Sequence, residues 1–223
     1  MAALSCNAER DVRTVNRRQL LNLALELRRG GSARGVPLLG ISGIDGSGKS
    51  TLAAWLSSAL MGCGVRVAAL GVDDWHNPPQ VRFSEVHPGV NFFENGLRLS
   101  ELAERLLQPL QRSGNALLTM NAMQSADRVA HVKTFEFSDI ELILLEGVFI
   151  FRRELQPMFD LSVWVDCPFP VALHRALRRN QEGLAAREIR RDYERIYFPA
   201  QRYHLHRDAP REFATLIVEN GDT

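Results

Sequence analysis

Gly43-Ile44-Asp45-Gly46-Ser47-Gly48-Lys49-Ser50-Thr51 stands between an apolar run, Pro37-Leu38-Leu39-Gly40-Ile41, and the helix-forming Leu52-Ala53-Ala54-Trp55-Leu56. It reads as a G-x-x-x-x-G-K-[ST] phosphate-binding loop joining a buried strand to a helix. The glycines permit backbone angles that a Cβ would forbid, so successive N–H groups can turn inward as a nest for phosphate oxygens. The N-terminus of the following helix adds partial positive charge to the same anion site. Lys49 would set a flexible point charge on the β and γ phosphates, and the Ser50 hydroxyl would ligate Mg²⁺. A plain tight turn with one lysine is the bland alternative, and the strand before and helix after it weigh against that. Lys49 and Lys133 are the only two lysines in a chain rich in arginine. A lysine at this position fits a demand for the compact ammonium.

The rest of the composition bounds the answer. A chain of 223 residues has room for one large α/β domain and too little for two comfortable ones. Hydrophobic content of 45% and charged content of 24% are those of a soluble globular protein. A formal net charge of +1 argues against general binding to nucleic acid or to membrane surfaces. Cys6, Cys63 and Cys167 are widely spaced and form no C-x-x-C, so neither a disulfide framework nor a zinc site is expected. Glu9 and Asp11, with no apolar stretch beside them, argue against an ordinary signal peptide, and no run reaches the length of a membrane span. The expected location is the cytoplasm.

Working outward from the loop, leucines recurring over residues 16–29 before Gly30-Gly31 predict a docked amphipathic helix. Strand one is expected at about 36–41, the helix after the loop at 49–61, and a buried strand two at 65–72. Strand two delivers Asp73-Asp74-Trp75-His76 at its C-terminal end, where open α/β sheets bind ligands. Residues 77–95 read as a long functional loop, and 95–112 as a helix loosened by Pro109. Strand character at 116–119 and 129–137 suggests a small β excursion. Strands three, four and five are expected at 141–145, 161–165 and 215–218, with a short helix at 152–157. Helices at about 170–180 and 185–197, the second ending near Pro199, would form a lid. The alternation predicts a P-loop NTPase-type, doubly wound, five-stranded parallel sheet with flanking helices.

A phosphate loop alone does not separate kinases from GTPases or motor ATPases. The GTPase base-reading motif N-K-x-D is absent, since neither lysine follows an asparagine. From about residue 36 to residue 220 the chain resembles the P-loop small-molecule kinases of the uridine kinase, phosphoribulokinase and pantothenate kinase group. The resemblance rests on the loop itself, on Asp73-Asp74-Trp75-His76, on Asn91-Phe92-Phe93 and on Leu144-Leu145-Glu146-Gly147-Val148-Phe149. Arg175 with Arg179, and Tyr197-Phe198-Pro199-Ala200-Gln201-Arg202-Tyr203, complete it. It departs at Met120-Asn121-Ala122-Met123-Gln124, where relatives commonly carry a Tyr-Asp pair, and at Asn180, where an Asp often follows the lid arginine.

The resemblance implies a single kinase domain over residues 1–223 that uses ATP and Mg²⁺ to phosphorylate a hydroxyl of a small-molecule acceptor. A pyrimidine nucleoside is the first expectation; pantothenate, a pentose phosphate or another sugar-like alcohol are alternatives. A nucleotide-dependent regulatory protein is the alternative from another class, and a homo-oligomer is compatible with all of them. Asp73 would orient or deprotonate the acceptor hydroxyl, or join the Mg²⁺ shell, with Asp74 as the fallback. Glu146, at the end of an apolar strand, would hold Mg²⁺ with Ser50. Arg175 and Arg179 share a helix face and would close on the transferring phosphoryl group, although a solvated basic face accounts equally for the charge around them. Trp75, His76, Phe92 and Phe93 would line the acceptor pocket or fill the core, and Arg128 and His131 would reach the acceptor from the β excursion.

Overall fold

The apolar residues before the loop glycines form a strand buried along its whole length, and the rest of the sheet is laid out on either side of it. The computed structural model describes residues 13–123, 129–179 and 183–221. Its strands are β1 (Arg13–Thr14), β2 (Leu38–Gly43), β3 (Val67–Gly71), β4 (Ala116–Ala122), β5 (His131–Phe137), β6 (Leu142–Glu146), β7 (Leu161–Asp166) and β8 (Leu216–Glu219). Six of them pair in parallel in the order β1-β8-β7-β2-β6-β3, and β4 and β5 form a separate antiparallel hairpin. The sheet has one strand more than expected, because the two-residue β1 beside β8 is too short to carry a hydrophobic pattern.

Successive residues of β2 point to opposite faces, as strand geometry requires. Leu39 and Ile41 join Leu20 and Ala24 of α1 (Arg17–Gly30) and Leu52, Leu56 and Leu60 of α2 (Lys49–Gly62). Leu38 packs on the other face with Phe93, Leu102, Leu106 and Phe151. Asn16 starts α1 through a capping box with Gln19, which satisfies two otherwise orphaned amides.

Residues 77–95 are not a plain loop. They contain α3 (Pro79–Arg82) and α4 (Pro88–Asn95), each with proline at its start. Proline reads as punctuation in sequence, yet it is favoured where a helix amide has no partner anyway. The next helix runs through α5 (Leu99–Leu102), a π-helical stretch Ala103–Leu107 and α6 (Gln108–Ser113). Pro109 follows that widened stretch, which gives its ring room against the preceding turn.

The C-terminal helices repeat this device. Beyond α7 (Phe169–Arg179) and α8 (Ala186–Asp192), a π-helical stretch Tyr193–Tyr197 leads straight into α9 (Phe198–Asp208). The helix expected to stop near Pro199 therefore continues through it, to be followed by the short α10 (Pro210–Phe213). The helix expected over 152–157 is a single 3-10 turn, Gln156–Met158.

Candidate active site

The topology assembles the site at the C-terminal ends of the strands. β2 delivers the phosphate loop, β3 on one flank ends at a 3-10 turn Val72–Asp74, and β6 between them ends at Glu146. Gly46 and Gly48 have φ of 78° and 92°. A Cβ on Gly46 would fall 2.6 Å from the Ala172 carbonyl oxygen, and one on Gly48 would fall 2.3 Å from Asn220 Nδ2. Those two positions require glycine both for backbone angle and for space. Asn220 Nδ2 donates to the Ser47 carbonyl at 2.7 Å, so the loop is fastened from the end of β8. No side chain caps the start of α2, which leaves its first amides facing the loop cavity.

A cavity of about 280 Å³ opens beside the loop, lined by Asp45, Lys49, Ser50, Thr51, Asp73, His76, Phe92, Val148, Arg179, Tyr193, Tyr197 and Gln201. Lys49 is buried against it. The Asp45 carboxylate is the electrostatic centre of this arrangement: Lys49 Nζ lies 3.9 Å from it and Arg179 Nη2 lies 3.6 Å from it. The Tyr193 hydroxyl donates to it, and the Gly46 amide does so at 3.0 Å. Burial by itself would raise the Asp45 pKa, but these donors and cations together hold it below the usual aspartate value. The same burial, with the carboxylate alongside, pushes the Tyr193 hydroxyl well up, so it remains a donor.

The two aspartates after β3 separate cleanly. Asp73 lines the cavity and is exposed to it. Asp74 is buried and forms an ion pair with Lys133 of β5 at 2.6 Å. The fallback assignment to Asp74 is thereby disfavoured. His76 Nδ1 lies 2.8 Å from the Asp73 carbonyl oxygen. A carbonyl only accepts, so Nδ1 carries the proton and Nε2 is left as an acceptor. Burial lowers the His76 pKa, partly opposed by that carbonyl contact, and the ring stays neutral at neutral pH.

Ser50 Oγ donates to Glu146 Oε2 at 3.1 Å. Burial raises the Glu146 pKa; Lys49 lowers it in part, and the negative charge of Asp73 raises it further. Two carboxylates close enough to feel each other, with a hydroxyl between loop and strand, form an all-oxygen donor set that fits a hard divalent cation. Ser50 and Glu146 would hold such an ion, with Asp73 within its field.

The other expected residues divide. Phe92 lines the cavity, stacked on Phe83 and edge-on to Tyr197. Phe93 and Trp75 do not; both are fully buried, Phe93 against Phe149 and His204 and Trp75 against Phe135. Adjacent residues on α4 face different surroundings, and Trp75 is turned under the hairpin by its bridge to Met123. Arg179 reaches the cavity, but Arg175 does not share it: its Nη1 donates to the Ser47 carbonyl at 3.4 Å on the other flank of the loop. His131 sits exposed at the start of β5, opposite Ala122, and is not among the cavity's lining residues. Arg128 and Asn180 lie outside the described residues. Sequence reasoning missed Lys133, Tyr193 and Asn220 as site residues. The chain's shortage of lysine was the one usable signal, pointing to Lys133.

Among the described residues no helix is long and apolar enough to cross a membrane. No protein-family model matches the chain. The curated uridine kinase of Proteus mirabilis strain HI4320 is 24% identical over 193 residues, covering 82% of this chain and 87% of that protein. A solved structure of a possible uridine kinase from Bacillus stearothermophilus matches with a TM-score of 0.70 at 24% identity, over 90% of this chain and 98% of that one. A candidate fructose transport system kinase from Silicibacter sp. TM1040 matches with a TM-score of 0.69 at 20% identity, over 91% and 98% of the two chains.

Proposed function

We propose, taking the chain as a uridine kinase-like P-loop kinase by its homologues and its fold, that it transfers the γ-phosphoryl group of ATP to a hydroxyl of a small metabolite, a pyrimidine nucleoside first among them. The observation that carries this reading is the convergence of Lys49, Asp73 and Arg179 on one cavity, whose lining Ser50 in turn donates to Glu146. A hydrolase needs a water there; a kinase needs room for an alcohol beside a carboxylate, and Asp73 with His76 and Phe92 offers that.

The residues divide the work by chemistry. The loop amides and Lys49 bind the donor phosphates. Asp73 orients the acceptor hydroxyl in line with the phosphorus and takes its proton as the new O–P bond forms. His76, with Nδ1–H held by the Asp73 carbonyl, presents Nε2 as an acceptor to a second hydroxyl or an N–H of the same molecule. Arg179 neutralises charge developing on the transferring group, in a site where fixed charges act strongly. Tyr193 and Tyr197 from the lid close over the cavity and exclude water, which would otherwise compete as acceptor. Mg²⁺ held by Ser50 and Glu146 would screen the phosphate oxygens and draw charge toward the leaving group.

A sugar-like alcohol is the second reading. Burial of Trp75 and Phe93 takes two of the expected rings out of the cavity, and a candidate fructose transport system kinase shares the fold. The test is ADP release with ATP and Mg²⁺ against uridine, cytidine, fructose, pantothenate and ribulose 5-phosphate, with Lys49→Ala as blank. Release driven by uridine or cytidine supports the nucleoside acceptor, and release with fructose alone moves it to a sugar. Nucleotide binding without acceptor-dependent release across the panel would overturn the kinase reading in favour of a nucleotide-dependent regulatory protein.

A further inference from the structure

A second cleft, of about 680 Å³, opens on the opposite flank of the phosphate loop. Gly48, Thr51 and Leu52 form its floor, and Val165, Val218, Glu219 and Asn220, at the ends of β7 and β8, form one side. Thr51 lines both this cleft and the cavity described above. The opposite wall is Thr14, Val15, Asn16, Arg17 and Gln19, the segment that precedes the loop by some twenty to thirty residues in sequence and is brought beside it by the pairing of β1 with β8.

Strand order assigns the two openings different partners. β2 carries the phosphate loop at the middle of the sheet; β6 and β3, on one side, bring Glu146 and Asp73, while β7, β8 and β1 lie on the other. In-line phosphoryl transfer sets the attacking oxygen and the leaving oxygen on opposite sides of the phosphorus. With the acceptor on the Asp73 side, the donor's nucleoside must leave on the β7-β8-β1 side, into this cleft.

We propose that the N-terminal arm, residues 14–19, selects the base of the donor nucleotide, and that the base is a purine bearing an exocyclic amino group. This rests on the phosphotransfer reading above. Leu52, Val165 and Val218 supply apolar walls for a flat ring. In the capping box Asn16 Oδ1 accepts from the Gln19 amide at 3.0 Å and Gln19 Oε1 accepts from the Asn16 amide at 2.9 Å. Both carboxamide oxygens are therefore engaged within the arm, which leaves the two side-chain amino groups to donate to ring nitrogens. The Glu219 carboxylate on the facing side accepts from an amino substituent. Helix α1 thus does more than cover the sheet: the residues that cap it face the donor.

The test separates base from phosphate by calorimetric titration with β,γ-methylene ATP, its inosine counterpart and inorganic tripolyphosphate, which reaches only the loop. Gln19→Met removes the donor without adding charge; Gln19→Glu preserves the capping box, in which Glu is a usual partner, and presents an anion instead. Thermal melts check that both variants fold. The expected result is a loss of fivefold or more in affinity for the ATP analogue in both variants, an unchanged tripolyphosphate affinity in Gln19→Met, and weaker binding of the inosine analogue to the wild type. ATP-analogue affinity unchanged in both folded variants overturns the role of the arm while leaving the kinase reading in place. Equal affinity of wild type for the adenine and inosine analogues overturns the amino-group selection. A wild-type protein that binds neither nucleotide nor tripolyphosphate overturns this inference and the phosphotransfer reading together.

Discussion

Nζ of Lys133 stands 2.6 Å from Oδ2 of Asp74, so the second of the chain's two lysines neutralises the acid next to the one that faces the cavity. The pair ties the β4–β5 hairpin to the end of β3, while the neighbouring Asp73 lines the cavity. Asp73→Asn should lower kcat by about 10²- to 10⁴-fold, the usual worth of a positioned general base, with nucleotide affinity kept. Asp74→Asn should change kcat little. If the two substitutions reversed these effects in steady-state assays, the assignment of roles after β3 would be wrong.

Lys133→Ala tests the same pair through stability. The Asp74 side chain is 10% exposed and that of Lys133 is 37% exposed, so the bond is neither fully screened nor fully buried. Removing the ammonium should destabilise the fold by about 1–2 kcal/mol, between the values of exposed and buried pairs. Adding Asp74→Asn should recover part of the loss, as read by urea unfolding. A double variant less stable than Lys133→Ala would mean that Asp74 is held chiefly by other contacts.

The Asp45 carboxylate lies close to both Lys49 and Arg179, at 3.9 Å and 3.6 Å. An arriving phosphate must share those cations with it. Asp45→Asn should therefore tighten ATP binding by roughly fivefold, equivalent to about 1 kcal/mol of Coulombic repulsion relieved in a partly screened site. It should also weaken lid closure, since Tyr193 and Arg179 lose a charged partner on the loop. A titration showing weaker ATP binding would argue that Asp45 organises the loop more than it competes with phosphate.

The loop, both acids and the alternation of strands and helices were legible because each is a local signal: a glycine spacing, an acid ending an apolar run, a period of two or of 3.6. What escaped was set by tertiary context. Phe92 and Phe93 are indistinguishable in sequence, and the direction each side chain takes from α4 gives one to the cavity and the other to the core. Asn220 fastens the loop across 173 residues of sequence, a partnership that only the β7–β8 pairing creates. Pro199 reads as a helix end because the π-helical turn that accommodates it leaves no sequence mark.

That division of the aromatics is itself testable. Phe92→Leu and His76→Ala should raise KM for the acceptor several-fold with little change in KM for ATP. Phe93→Leu should leave acceptor KM near wild type and lower stability by about 1–3 kcal/mol, as loss of a buried ring does. The opposite pattern in KM would return Phe93 to the acceptor pocket.

Acid sensitivity follows from two buried imidazoles. His204 and Asp208 are one turn apart on α9, with Nδ1 and Oδ2 at 2.7 Å, and Arg152 and Arg207 face them from outside the pair. Burial lowers the His204 pKa below the ordinary 6.5 although Asp208 favours the proton, and His76 is likewise lowered by burial. The unfolded chain therefore takes up protons near pH 6.5 that the folded chain does not, and stability must fall as pH drops below that value. The slope approaches about 1.4 kcal/mol per pH unit for each such imidazole until its folded pKa is reached. Asp208 acts in a lower window: burial would raise its pKa, but the bond to His204 and the nearby arginine outweigh this and depress it, so its contribution is lost only as pH falls through that depressed value. His204→Gln, whose amide can still donate to Asp208 but does not titrate, should flatten the fall in unfolding free energy between pH 7 and pH 5, and His76→Gln added to it should flatten it further. Slopes identical to wild type in both variants would mean that these rings take up protons alike in the folded and unfolded chain and that the burial argument fails.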